Sequence, residues 1–344
     1  MSDEAGPTHR GKHARPRRRD VLAALAALGG LASSPQLARA QQRRLPAIGY
    51  LYAGSLAAGR GGVEAFRAGL AEMGYVEGRN VAIEFREADN DIALLPQLAR
   101  DLVARGVDVI VTPGSGWATL AAKDATSTIP IVFSNAGNPI QMGVVPGLSH
   151  PGGNVTGISD FGNELSGKRV ELTKLLVPAA ATIGLLVTAN HPDADREVSI
   201  AQEHARAIGI EVFVLSVSSV ADIDAAFATL ARKNAGGFCL VPNALFVNRR
   251  AQVIALAARY RIPAMYPFIQ FTEAGGLMSY GSSLTERNRQ TGIYVGLILN
   301  GRKPADLPVF RLEKFELAIN MTTAKTLGLT VPATFLALVD KVIE

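Results

Sequence analysis

From Pro46 onward the chain alternates short apolar runs with stretches whose apolar residues recur every three or four positions, the pattern of strand–helix–strand units that stack into a mainly parallel sheet. The run AIGYLY (47–52) predicts a first buried strand. Val63, Phe66, Leu70 and Met73 then fall at helical spacing, Gly74 supplies the stop, and NVAIEF opens a second strand. A helix over 93–105 is expected to turn Leu94, Leu98 and Leu102 to one side. VDVIVT (107–112) and IPIVF lack polar alternation, so both predict strands covered on both faces.

A second series with the same grammar follows: TIGLLVT (182–188), IEVFVLSV (210–217), GGFCLVP (236–242) and IPAMYPF (262–268), each separated by a helical stretch. GGLMSYGSSL (275–284) predicts a further strand and a polar turn, and the next helix ends near Gly301. No residue-level repeat relates the halves. A length of 344 residues suits two domains of ordinary size, and two similar open α/β sheets fit better than one closed barrel. The segment HPGGNVTGISD (150–160) lies between the two series. It matches a glycosylation sequon at Asn154, but a phosphate cradle needs a helix directly after the glycines, and NVTGIS is β-branched and strand-like. The segment is therefore expected to be a crossing that runs extended into the second domain and delivers Ser159 and Asp160 to an interdomain cleft. The resulting division is 46–155 plus 281–307 for the N-terminal lobe, and 156–280 plus 308–344 for the C-terminal lobe, joined by a hinge.

Charge modifies this picture only at the N-terminus. The formal charge is +5, yet residues 1–40 hold seven of the 35 Lys/Arg and three of the 30 Asp/Glu, leaving 28 basic and 27 acidic residues in the remainder. That near-neutral body argues against nucleic acid as a partner. The leader reads as a basic segment with Arg18-Arg19, an apolar stretch from Val21 to Ala32, and Ala38-Arg39-Ala40. This is the form of an export signal, twin-arginine-like, cleaved after Ala40, and it places the mature chain in the periplasm. The apolar stretch is too short to span a bilayer, which takes about 20 residues. Cys239, the one cysteine, forms no internal disulfide and is expected to pack inside a strand.

In open α/β sheets, ligands bind beyond the carboxyl ends of strands, and here those loops are small, hydroxylic and amidic. They comprise Ala53-Gly54-Ser55, Thr112 to Gly116, Ser134 to Asn138, Ser159-Asp160, Asn190-His191-Pro192, Pro242-Asn243 and Tyr266-Pro267-Phe268. The turn at Thr112–Gly116 is either an anion site at a helix N-terminus or a helix cap in which Ser115 satisfies the next turn's donors. Trp117 either flanks an apolar ligand or packs against the neighbouring helix. GSGWAT has neither the Lys-Ser/Thr ending of a P-loop nor a dinucleotide fingerprint, and Pro113 stands where a nucleophile elbow needs glycine. His150, His191 and His204 have no metal-ligand spacing. A binding protein is expected, with no catalytic residue, cofactor or metal.

The segments RGVDVIVTPGSGWATLAAKDATSTIPIVFSNAGNPIQMGVVPGLSHPGGNVTGISDFGNELSGKRVELTKLLVP, YRIPAMYPFIQFTEAGGLMSYGSSL and GRKPADLPVFRLEKFELAINMTTAKTLGL together resemble the extracytoplasmic solute-binding proteins of the ABC-transporter substrate-binding family, allied to tryptophan- and other amino-acid-binding components. The resemblance implies a type I periplasmic binding protein: two Rossmann-like domains, three crossings, and closure over a small-molecule solute. It implies a membrane permease as partner, and a monomer is expected. Carried over by position, the cleft is lined by Gly54, Ser55, Thr112, Gly114, Ser115, Asn135, Asn138, Asp160, Asn190, Asn243, Tyr266 and Tyr280. Relatives often carry an acidic residue before the proline that is Pro139 here, and this chain has Asn138. A neutral or carboxylate-only aromatic compound therefore competes with an amino acid as ligand. The alternatives are a receptor that hands its closed form to a membrane sensor and, third, an exported enzyme; a transcription regulator of the same fold would carry a DNA-binding helix-turn-helix where the leader stands.

Overall fold

The computed structural model describes residues 44–189 and 194–344; the leader, Asn190 and His191 lie outside the described residues. Its strands are β1 (Ala47–Tyr52), β2 (Ala82–Glu87), β3 (Val109–Pro113), β4 (Ile131–Asn135), β5 (Val155–Ser159), β6 (Thr182–Thr188), β7 (Glu211–Val217), β8 (Gly237–Leu240), β9 (Ala264–Tyr266), β10 (Met278–Ser282), β11 (Phe310–Arg311), β12 (Phe315–Asn320) and β13 (Lys341–Ile343). They form two sheets within Leu45–Glu344. The first has the order β11-β5-β4-β3-β1-β2 and is parallel throughout. The second has the order β13-β12-β10-β9-β8-β6-β7, with one antiparallel pair, β10 with β12. This is the two-sheet α/β architecture expected from the alternating pattern.

The apolar runs become central strands because helices cover both faces. Every residue of β3, β4 and β5 is buried, and Ile110, Ile131, Phe133 and Val155 pack into one core while Val109, Val111, Val132 and Ile158 pack into the other. The second sheet has its own core, in which Cys239 is buried and its thiol pushed up to about 11 by desolvation. One phase differs from expectation. Residues 92–94 form a 3₁₀ turn, with Asp91 accepting from the Ala93 amide, before the helix Leu95–Ala104 starts. The turn shifts the buried face to Leu95, Ala99 and Leu102 and leaves Leu94 exposed.

Segment 150–160 also differs. Gly152 and Gly153 both take positive φ (66° and 60°), so the expected turn is there, and Asn154 donates to the carbonyls of Thr126 and Ile129, pinning the turn beside β4. Val155–Ser159, however, does not run into the second lobe. It pairs with β4 and β11 in the first sheet, because only there are its backbone groups laddered and Val155 and Ile158 buried. The chain crosses after Asp160, again between β10 and the helix Leu284–Leu299, and a third time between β11 and β12. The first and third crossings thus fall about five residues beyond the expected boundaries.

After the second crossing, the helix Leu284–Leu299 returns to lie on the helix Arg60–Glu72 of the first lobe. The approach depends on two glycines. A Cβ on Gly69 would overlap the Arg289 carbonyl, and one on Gly292 would overlap the Phe66 carbonyl. Gly292→Ala is expected to destabilise by about 1–3 kcal/mol through overpacking, read as a lower urea midpoint at unchanged slope; a midpoint equal to that of the parent would show that the helices move apart freely.

Candidate functional site

The carboxyl ends of β1, β3, β4, β8 and β9, together with the first turn of the helix Leu284–Leu299, surround a cavity of about 220 Å³. The first lobe supplies the rings of Tyr50 and Tyr52, a glycine stretch at 59–62 and the backbone of Pro113, Gly114 and Gly116. The second supplies Asn163, Asn243, Val247, Arg250, Phe268 and Gln270. Walls from two lobes enclose one space, as expected for a ligand buried between domains.

Asn135 ends β4 on the cavity wall, 3% exposed, and neither its amide nitrogen nor its oxygen has a partner in the protein. A buried amide left unsatisfied costs about 1–3 kcal/mol, so this side chain is prepared to give and accept hydrogen bonds with something else. Gly114 takes φ 72° and donates to the Ser134 carbonyl, which turns the chain sharply into the helix Gly116–Ala125. Ser115 is the N-cap of that helix, its Oγ accepting from Ala118 N at 3.3 Å. The cap reading of Ser115 is therefore realised, and the first-turn amide of Gly116 remains at the wall without an intrahelical acceptor.

Arg287 is the charged centre of the site. It is 3% exposed, on the cavity wall, with its Nη1 donating to Asp160 Oδ2 at 2.9 Å and its guanidinium 5.3 Å from the Phe268 ring centroid. Its Nε has no partner. Asp160, itself 1% exposed, also accepts from Ser282 Oγ and from the Gly162 amide. Beside it, buried Arg169 donates to the carbonyls of Tyr280 and Gly162, and burial pulls its guanidinium down from its ordinary value. These contacts tie the first two crossings together.

The residues expected in the cleft divide sharply. Gly114, Asn135 and Asn243 are on the main cavity wall. Ser115 and Asn243 border a neighbouring cavity of about 110 Å³, and so does Trp117, which also packs on the first-lobe core. Thr112 is fully buried and bonded to Thr119. Ser159 donates to the Gly137 carbonyl, and Asp160 serves the crossings. Asn138 caps a turn, accepting from the Ile140 and Gln141 amides. Tyr266 is stacked on Phe271 inside the second lobe, and Tyr280 lies against Phe315. Gly54 sits against Asn248, with the Ser55 carbonyl accepting from Gly59 N. Arg287, Arg250, Asn163 and Gln270 were not found by looking only at strand ends. Arg287, Thr291, Tyr294 and Ile298 follow helical spacing on a buried face, and a charged residue within such a stripe is the signal that marks Arg287.

The family model for ABC transporter substrate-binding proteins matches residues 53–343. The chain belongs to that family. A tyrosine-binding protein of Clostridioides difficile is 29% identical over 261 residues, spanning 76% of this chain and 74% of the relative. An ABC domain from Streptococcus pneumoniae in complex with L-Trp superposes with a TM-score of 0.79 at 27% identity, over 87% of this chain and all of the other. The ligand-free, open structure of a Clostridium difficile substrate-binding protein with adhesive properties gives 0.60 at 26% identity, over 87% and 99%. The fold of this family member is that of the type I periplasmic binding proteins, and its relatives are binding proteins rather than enzymes. Among the described residues, no group of three His, Cys, Asp or Glu is placed to hold a metal, and no helix is long and apolar enough to cross a membrane.

Arg287→Met is expected to cost about 3–5 kcal/mol by leaving Asp160 buried without its cation, and adding Asp160→Asn to the same chain is expected to restore most of that. Urea denaturation of the three proteins measures it; a single variant within about 1 kcal/mol of the parent would remove the pair from the structural account.

Proposed function

We propose that this family member is the extracytoplasmic solute-binding component of an ABC uptake transporter, capturing a small amino-acid-like or aromatic carboxylate ligand by closure of the two lobes. The observation that carries this reading is the cavity itself: aromatic rings and unpaired polar groups from both lobes face one enclosed space. Tyr50, Tyr52 and Phe268 offer an apolar slot, while Asn135 and the Arg287 side chain offer hydrogen bonds. The tyrosine- and tryptophan-binding relatives favour the same ligand class.

Closure has a local mechanism. Asn248 of the second lobe accepts from Tyr52 Oη at 3.0 Å and donates to Asn90 Oδ1 at 3.3 Å, both in the first lobe. Burial raises the Tyr52 phenol to about 12, so it stays a donor at neutral pH. Ala244 of the second lobe is buried within the first-lobe core cluster. At nearly equal identity, the superposition is better on the tryptophan-bound relative than on the ligand-free open one, which supports reading this arrangement as closed. A ligand touching both lobes would shift the population toward it, and the closed form would then engage a permease. The leader motif in residues 1–40 supports export to the periplasm, where such a component would work.

The test is calorimetric titration of the purified protein, unfolded and refolded to strip bound ligand, with L-Trp, L-Tyr and aromatic carboxylates, alongside Trp117 emission. Saturable binding in the micromolar range, about −8 kcal/mol, is expected; no heat across the whole panel would remove this ligand class. Asn248→Ala is expected to weaken binding about 2- to 10-fold, the value of one hydrogen bond of about 0.5–1.5 kcal/mol, without loss of thermal stability in the ligand-free protein. An unchanged affinity would deny Asn248 a part in closure.

A further inference from the structure

Resting on the reading of the cavity as a site for aromatic carboxylates, we infer that it selects aromatic acids lacking an α-ammonium group over the corresponding amino acids, with Arg250 as the charge partner of the carboxylate. Among the described residues, the cavity wall holds two guanidiniums, Arg287 and Arg250, and no carboxylate. Two acids beside wall residues are committed elsewhere: Asp160 to Arg287 and Ser282, and Glu286 to Arg289 and Gln290. Arg287 is thereby neutralised from behind.

Arg250 is not. It is half-buried on the wall, and among the described residues it has no ion pair and no hydrogen bond. Its position is unfavourable for the helix Arg250–Tyr260, where it is the first residue and the first turn carries no acid, because a cation there opposes the helix dipole. A charge that neither pairs nor stabilises its own helix leaves a net positive potential in the cavity. The amino ends of the helices Gly116–Ala125 and Leu284–Leu299 add to it, since Gly116 and Leu284 are also on the wall.

An ammonium entering this space meets only neutral acceptors, chiefly the unpaired oxygens of Asn135 and Gln270, within the field of a free guanidinium. A carboxylate meets a cation with no competing partner among the described residues. At about 220 Å³ the cavity is smaller than typical ligand pockets, which run from about 300 Å³ upward. That suits a single-ring acid.

The experiment titrates the refolded protein with 3-phenylpropionate and 3-(4-hydroxyphenyl)propionate against L-phenylalanine and L-tyrosine. Each des-amino acid is expected to bind at least tenfold tighter than its amino acid. Arg250→Gln is expected to abolish that preference by weakening the propionates, while Arg250→Lys, with a native melting profile, keeps it. Amino acids binding as tightly as the propionates, or a preference that Arg250→Gln leaves intact, would overturn the inference and leave the proposed function standing. Failure of all four compounds to bind would overturn the inference, and failure of L-tryptophan as well would overturn both.

Discussion

The arrangement of the two lobes rests on a buried charge at the point where the chain crosses between them. Asp160 accepts from a guanidinium, a hydroxyl and an amide contributed by three different segments: Arg287, Ser282 and Gly162. Taking a carboxylate and a guanidinium out of water has a large desolvation cost, so such a pair is weak evidence for net stability. Its effect is geometric. With the three donors to Asp160 placed, alternative paths for the first two crossings would leave a charge unpaired, and Arg169 applies the same restriction through the carbonyls of Gly162 and Tyr280. Because Arg287 is also part of the cavity wall, the bond that fixes the crossings also fixes one edge of the site.

Close backbone approach supplies the second constraint. Gly69 and Gly292 let the helix after the second crossing lie directly on the first lobe, so the first turn of that helix, with Arg287 and Asn288, is held as part of the first lobe's frame. Gly54 allows Asn248 of the other lobe to come against the loop after β1. One pair of glycines anchors the hinge helix and a third admits the opposing lobe, and a methyl group at any of them would displace backbone or the Asn248 side chain.

Most of the fold was legible because a buried parallel strand leaves a plain mark: VIVTP, IVFSN and TIGLLVT are apolar and β-branched over most of their length. Phase and partner were less legible. A 3₁₀ turn at 92–94 rotated the next helix by one position, and nothing local in VTGIS says whether it ladders with β4 or leads away from it, since either path starts with the same extended backbone. For the site, the strand-end rule located Gly114, Asn135 and Asn243, whose side chains or backbone meet the cavity. It also collected Thr112 and Asp160, which are as polar but answer to internal partners, and Tyr266, whose ring stacks on Phe271; the family resemblance added Tyr280, which lies against Phe315. Sequence shows that a residue can hydrogen-bond and not whether its partner is already present. Arg287 and Arg250 escaped because they lie in the first turns of helices, and a rule confined to strand ends does not reach there.

The position of Asn138 shows the same distinction in electrostatic form. Read along the chain, a missing acid before Pro139 suggests a site that no longer favours an ammonium. In three dimensions that residue caps the turn at 140–141, a role an aspartate fills equally well, and it is not on the cavity wall. Among the described residues, the sign of the cavity's field follows instead from groups with no close neighbour in sequence: an arginine neutralised through Asp160, an arginine without a partner at a helix start, and no carboxylate between them. The lack of negative charge that the sequence suggested at one loop is thus a property of the wall as the described residues form it, and it arises from where the acids are spent rather than from how many the chain contains.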